Sequence, residues 1–164
     1  MQTFQKIDEE IESIGKYSYI LIRVLKTEND FSNLSDYEII NNLINSEFHI
    51  WLGEGRTEKH NLPNFYGYHN YDELNASDYT NLSFKNFKLK IISIIVNWHQ
   101  KELEICEKAK AYINSKSNLD STYYFLDLNE NEKKAEWHVY SVFAGFISIN
   151  RFENTVSLIE FGED

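Results

Sequence analysis

The chain has 164 residues, 42% hydrophobic and 15% aromatic, with one proline and six glycines. That composition excludes a disordered or linker-dominated chain, and the length predicts one domain that buries roughly two-thirds of its unfolded surface. A net charge of −10 argues against nucleic acid or an anionic membrane as partner and favours a basic one.

The charge is unevenly spread. Residues 27–84 hold ten acids against Arg56 and Lys59, net −8, and no lysine or arginine occurs between Lys59 and Lys85. The single Cys106 forms no internal disulfide, which fits a reducing compartment. MQTFQKIDEEIESIG lacks an apolar signal core and no apolar run reaches membrane-spanning length, so a cytoplasmic location is expected.

In chain order, Phe4, Ile7, Ile11 and Ile14 recur at helical spacing before Gly15 and predict a short amphipathic helix. KYSYILIRVLK (Lys16–Lys26) is rich in β-branched and aromatic residues and predicts a strand. Ser35 and Glu38 form an S-x-x-E capping box, with Leu34 placed to staple against Ile39, so a helix starts there. EFHIWLG (Glu47–Gly53) reads as a short strand, and from Gly53 to Asn81 no strong regular element is legible.

From Ser83 to about Ser115 the apolar residues Phe84, Phe87, Ile91, Ile94, Ile95, Trp98, Ile105, Ala109, Tyr112 and Ile113 fall mostly on one stripe. They predict one long helix with Trp98 in the core and Cys106 acting as a small hydrophobe. This helix is rich in lysine, so some acids of 27–84 are expected to rest against it. STYYFLDL (Ser121–Leu128) and EWHVYSVFAGFISIN (Glu136–Asn150) read as strands. The second is apolar on both pleat faces, as a central strand should be, with Gly145 marking a bend or bulge. RFEN then connects to TVSLIEF (Thr155–Phe161), a last strand expected to expose an edge. The resulting expectation is a single α+β domain over 1–164, with helices, one of them long, packed on one face of a curved antiparallel sheet.

No catalytic signature accompanies this plan. G-x-S-x-G, G-x-x-x-x-G-K and H-E-x-x-H are all missing, and Gly53-Glu-Gly55 has Glu58 where a dinucleotide fingerprint needs its third glycine. Of the five histidines, only His69 and Asp72 make a local pair, short of a metal set. No catalytic residue, metal site or cofactor is therefore expected.

The segment NFYGYHNYDELNASDYT (Asn64–Thr80) stands out instead. It combines tyrosines, which bury large area with few rotors, with acids that pair with a partner's Lys or Arg. So long a loop in a compact domain is usually functional. Tyr66, Tyr68, Tyr71, Asp72, Glu73, Asp78 and Tyr79, with Glu54, are the expected partner-binding residues.

A small acidic α+β chain without a catalytic constellation resembles the immunity proteins of bacterial toxin–immunity systems, including the contact-dependent inhibition and polymorphic-toxin types. The resemblance lies in composition and architecture over the whole chain. It implies a stoichiometric, non-catalytic inhibitor of a cognate and basic toxin domain such as a nuclease, whose phosphate-binding Lys and Arg a carboxylate surface competes for. A DNA-mimicking anti-restriction or anti-CRISPR protein ranks second, because these acids are irregularly spaced. A ligand-binding or enzymatic domain with a helix–sheet cavity lined by His138, Tyr140 or Asp127 ranks third.

Overall fold

A computed structural model describes residues 4–27, 30–49, 65–67, 69–100, 102–129, 131–134 and 141–163, with backbone alone at 65 and 71. Its centre is a six-stranded antiparallel sheet in the order β1-β2-β8-β7-β6-β5. The strands are β1 (Phe4–Ser13), β2 (Ser18–Thr27), β5 (Tyr79–Leu82), β6 (Thr122–Leu126), β7 (Val142–Asn150) and β8 (Thr155–Glu163). A two-stranded ribbon pairs β3 (Phe65–Tyr66) with β4 (His69–Asn70). The helices are α1 (Asp36–Ile44), α2 (Phe84–Trp98) and α3 (Leu103–Lys116).

The helices cover both faces of the sheet, not one. Leu25 of β2, Val156 and Leu158 of β8 and Ile147 and Ile149 of β7 pack beneath α1 and the 66–79 segment. Ile20, Ile159, Phe161, Ala144 and Phe146 pack beneath α2 and α3. The three central strands are apolar at both odd and even positions, so each pleat face needs its own cover. This is also why TVSLIEF is interior: β8 pairs with β2 on one side and β7 on the other, and the sheet edges are β1 and β5.

The capping box at Ser35 and Glu38 is present in both directions, and α1 buries Ile39, Ile40, Leu43 and Ile44. Over the N-terminal segment the expected helix is instead an edge strand. Ile7 and Ile11, assigned to its buried stripe, are 52% and 54% exposed, and the register with β2 slips between Lys6 and Asp8, past Ile7. Three of the four acids of β1 find basic partners by pleat alternation. Glu10 and Glu12 meet Lys116 and Lys108 of α3 at 2.5 and 2.8 Å, whereas Glu9 on the other face meets Arg23. A charged edge strand also resists pairing with other chains.

The long helix is two helices. α2 ends at Trp98 and α3 begins at Leu103, with the Glu102 amide donating to the His99 carbonyl across the turn. No glycine or proline marks the break. His99 is drawn into the protein, where its Nε2 lies 2.9 Å from the Ser18 hydroxyl at the start of β2. Trp98, expected in the core, is exposed at the helix end, while Cys106 is buried. Residues 47–49 form a turn and bend where a strand was expected, and the rest of EFHIWLG lies outside the described residues. So does the first part of EWHVYSVFAGFISIN, while its remainder forms β7.

Gly145 is not a bulge, since β7 and β8 keep an unbroken register around it. It leaves room for an aromatic ring: an added Cβ would stand 3.0 Å from both Cε1 and Oη of Tyr66. Gly145→Ala is therefore expected to lower stability by about 1–3 kcal/mol through overpacking, read as a shift in the urea midpoint. A midpoint unchanged from the parent chain would mean that the ring moves freely.

Candidate functional site

The structure separates the expected partner-binding residues. Glu54 and Tyr68 lie outside the described residues, and Tyr71 is described only as backbone in a 3-10 turn over Tyr71–Glu73. Tyr66 and Tyr79 are not at the surface. Tyr66 is 1% exposed, stacked on His49 at 4.1 Å and edge-on to Phe143 at 5.0 Å. Tyr79 is buried with its hydroxyl 2.7 Å from His49 Nε2. Phenols carry enough apolar area to serve as core wherever the hydroxyl finds a polar neighbour. Asp78 is largely withdrawn as well, since Lys133 Nζ donates to both its oxygens at 2.8 and 2.6 Å. Asp72 and Glu73 remain exposed.

The charge map is sharper than the loop. Residues 30–49 and 69–82 carry Asp30, Asp36, Glu38, Glu47, Asp72, Glu73 and Asp78 and no lysine or arginine. These segments form one layer, with Leu74 and Ala76 packed against α1 and the Ala76 amide donating to Asn41 Oδ1. α2, on the other side of the sheet, carries Lys85, Lys88 and Lys90 and no acid. Lys88 and Lys90 lie over the rings of Phe84 and Phe125. The described acids of 27–84 thus do not rest against the lysine-rich helix, because the sheet stands between them, while Glu28, Glu54 and Glu58 lie outside the described residues. Asp78 is answered by Lys133 and Asp36 by Arg151. Asp30, Glu38, Glu47, Asp72 and Glu73 stay exposed, as does the ring of Tyr37 between Asp36 and Glu38. Nothing in the aromatic-acidic segment pointed to Tyr37. The signal that finds it is its place on the polar side of a capped amphipathic helix.

Beneath this layer lies a buried polar cluster. In register, Glu160 of β8 sits between Leu21 and Gly145, and Arg23 is one pleat along on β2. Arg23 donates from Nε to Glu9 Oε2 and from Nη1 to the Phe48 carbonyl, both at 2.5 Å. Among the described residues neither Glu160 oxygen has a well-aligned hydrogen bond, nor does the Tyr66 hydroxyl. Burial pushes the Glu160 carboxyl up to about 7, with the charge of Glu9 adding to the rise and Arg23 and Tyr66 opposing it. Burial, with Glu160 nearby, also pushes the Tyr66 phenol well above its ordinary value. A carboxyl, a phenol, an imidazole and a guanidinium are acid–base components. However, Arg23, Glu160, Tyr66 and His49 are all at 2% exposure or less, so no substrate touches them in this arrangement.

A second constellation joins strand ends to the helix turn. Ser18 Oγ is 2.9 Å from His99 Nε2, and His99 Nδ1 is 3.3 Å from Glu102 Oε1. Such a Ser–His–carboxylate order is that of an activated hydroxyl nucleophile. Here the Ser18 proton points elsewhere, donated to Glu163 Oε2, and that same carboxylate oxygen faces His99 Nε2 at 3.4 Å. An anion beside the hydroxyl opposes a second negative charge on it, and both Ser18 and His99 are buried. The group is a clamp between β2, β8 and the α2–α3 turn.

Among the described residues no set of three or more His, Cys, Asp and Glu side chains is placed to hold a metal ion. His69, weighed with Asp72 as a pair, is buried and donates from Nδ1 to the Glu132 carbonyl at 2.8 Å. Of the residues named for a helix–sheet cavity, His138 and Tyr140 lie outside the described residues, and Asp127 is exposed. Compared with protein-family models, curated proteins and solved structures, the chain matches none.

Proposed function

We propose that this chain is a non-catalytic acidic inhibitor of the immunity-protein type, which binds and neutralises a basic toxin domain through the layer formed by α1 and residues 69–78. The observation that carries this reading is the placement of charge about the sheet, with exposed acids and no lysine or arginine in residues 30–49 and 69–78 on the α1 side, and the lysines of α2 on the other. A one-sided field orients an incoming basic partner and accelerates encounter, and its acids compete for the Lys and Arg that a nuclease uses on phosphates. Tyr37 supplies an exposed aromatic side chain among those acids, of the kind that anchors interfaces. The site shifts accordingly from the tyrosines of Asn64–Thr80 to Tyr37, Glu47, Asp72 and Glu73.

The partner to test is the product of the neighbouring reading frame. Its toxicity should be relieved by co-expression of this chain, and the purified pair should associate more slowly as salt rises. Reversing Glu47, Asp72 and Glu73 to lysine together should slow association about tenfold or more at low ionic strength, with the thermal midpoint nearly unchanged. An association rate indifferent to the triple change would place the interface elsewhere, and a neighbour whose toxicity is not relieved would sink the reading.

A further inference from the structure

Phe152, in the turn that joins β7 to β8, is the most exposed large hydrophobic side chain among the described residues, at 94%. A single exposed ring needs no explanation by itself. What sets this one apart is the hold on the residues to either side of it. Arg151 donates from Nη1 to the Phe31 carbonyl at 2.5 Å, and from Nη2 to the Leu34 carbonyl at 2.8 Å and to Asp36. Asn154 accepts from the Phe31 amide and donates to the Thr27 carbonyl, each at 2.9 Å. Its φ of 59° is a left-handed conformation that asparagine tolerates better than most side chains. Five hydrogen bonds thus fasten the turn to Thr27, Phe31, Leu34 and Asp36, while Phe152 and Glu153 between the fastened positions stand in solvent.

The surface that receives the turn is acidic and carries a second aromatic side chain. Asp36, bonded to Arg151, is followed by the exposed Tyr37 and Glu38, and Asp30 and Glu153 are exposed as well. Residues 30–38 hold three acids and no base, and the charge of Arg151 is answered by Asp36. Lys26 is exposed nearby, opposite Thr155. By pleat alternation from Ile20 and Ile22 it points to the α3 side of the sheet, away from residues 30–38. Acids around an apolar ring disfavour an anionic membrane, and a second copy of this chain, itself at −10, is repelled.

We infer that Phe152 is the aromatic anchor of the inhibitory interface and enters an apolar socket on the partner that is rimmed by lysine or arginine. The inference rests on the proposed binding of a basic toxin domain, and it extends that interface from Tyr37 to the β7–β8 turn. A phenyl ring removes a large apolar area from water when it enters a pocket, which is why aromatic side chains are enriched at interfaces. The turn is fastened before contact, so little conformational freedom is lost on binding, and such preorganisation favours affinity. Asp30, Glu38 and Glu153 complement the basic rim and fix the approach of the ring.

The test uses the full chain and the purified toxin domain of the neighbouring reading frame, with association and dissociation rates measured by surface plasmon resonance. Phe152→Ala should leave the thermal midpoint nearly unchanged and weaken the complex about thirtyfold or more, chiefly through faster dissociation. Asn154→Gly keeps the left-handed backbone but releases the side-chain bonds to Thr27 and Phe31. It should weaken the complex about three- to tenfold with the ring intact. A parent complex that Phe152→Ala leaves equally tight would overturn the anchor while the inhibitor reading stands. No complex with the parent chain would overturn both. Sedimentation of the chain alone gives the remaining arm: an oligomer that Phe152→Ala dissolves would assign the ring to a second copy and likewise overturn the inference.

Discussion

Arg23→Leu is expected to cost about 3–5 kcal/mol of folding stability, the usual result of removing one member of a buried ionic group. The guanidinium holds three groups together: Glu9 and the Phe48 carbonyl by direct hydrogen bonds, and Glu160 through its charge. Without it, Glu160 can lower its own cost by keeping its proton, but the Phe48 carbonyl has no such recourse. Glu9 burial pushes its carboxyl up, yet the hydrogen bonds and charges of Arg23 and Lys6 outweigh that and hold it low. Losing Arg23 removes most of that support. Against a total stability of about 5–15 kcal/mol the loss is a large fraction, and it should appear as a shift in urea midpoint at an unchanged slope. The double change Arg23→Leu with Glu160→Leu should recover a substantial part, because an apolar pair can replace a buried ionic one. A single variant that loses less than about 1 kcal/mol, or a double variant no better than the single one, would show that the cluster contributes little to the fold.

The same two residues show where the sequence was legible and where it was not. YILIRVLK and TVSLIEF read as strands from β-branched content, and both are strands. Each also carries a lone charge inside an apolar run, Arg23 and Glu160, and that coincidence is the signal that points to a buried pair. The tyrosine-rich loop is the more conspicuous feature of the sequence and masks it. Tyr66 and Tyr79 were misplaced because a phenol suits both core and surface, and the hollow that accepts Tyr66 comes from Gly145, about eighty residues away. β1 is not legible locally, because Phe4, Ile7, Ile11 and Ile14 fit a helical period while the partners that fix its pleat alternation lie in β2 and α3. The long helix divides without a breaker because His99 bonds to the ends of β2 and β8, contacts that no local pattern encodes. The capping box of α1, by contrast, is local and was legible in full.

Glu160→Gln is expected to abolish a pH dependence of stability that the buried carboxyl predicts for the parent chain. The Glu160 carboxyl ordinarily titrates at 4.5 and burial, assisted by Glu9, pushes it up to about 7 in the folded protein. Between those values the folded state retains a proton that the unfolded state has released. The unfolded state therefore binds fewer protons there, and stability falls as pH rises. The contribution is fully present below about pH 4.5 and is lost as pH climbs through about 7, amounting to about 3 kcal/mol by roughly pH 8. Glu9 acts in the opposite sense and in a lower window, since its carboxyl is held below 4.5 and its contribution disappears only on acidification. Glutamine keeps the shape of the neutral acid and cannot ionise. The variant should therefore match the parent near pH 5 and exceed it by about 3 kcal/mol near pH 8, read from urea unfolding at a series of pH values. Parallel profiles for the two proteins would mean that Arg23 keeps Glu160 ionised throughout, and the cluster would then be a true buried ion pair rather than a carboxylic acid kept neutral by its surroundings.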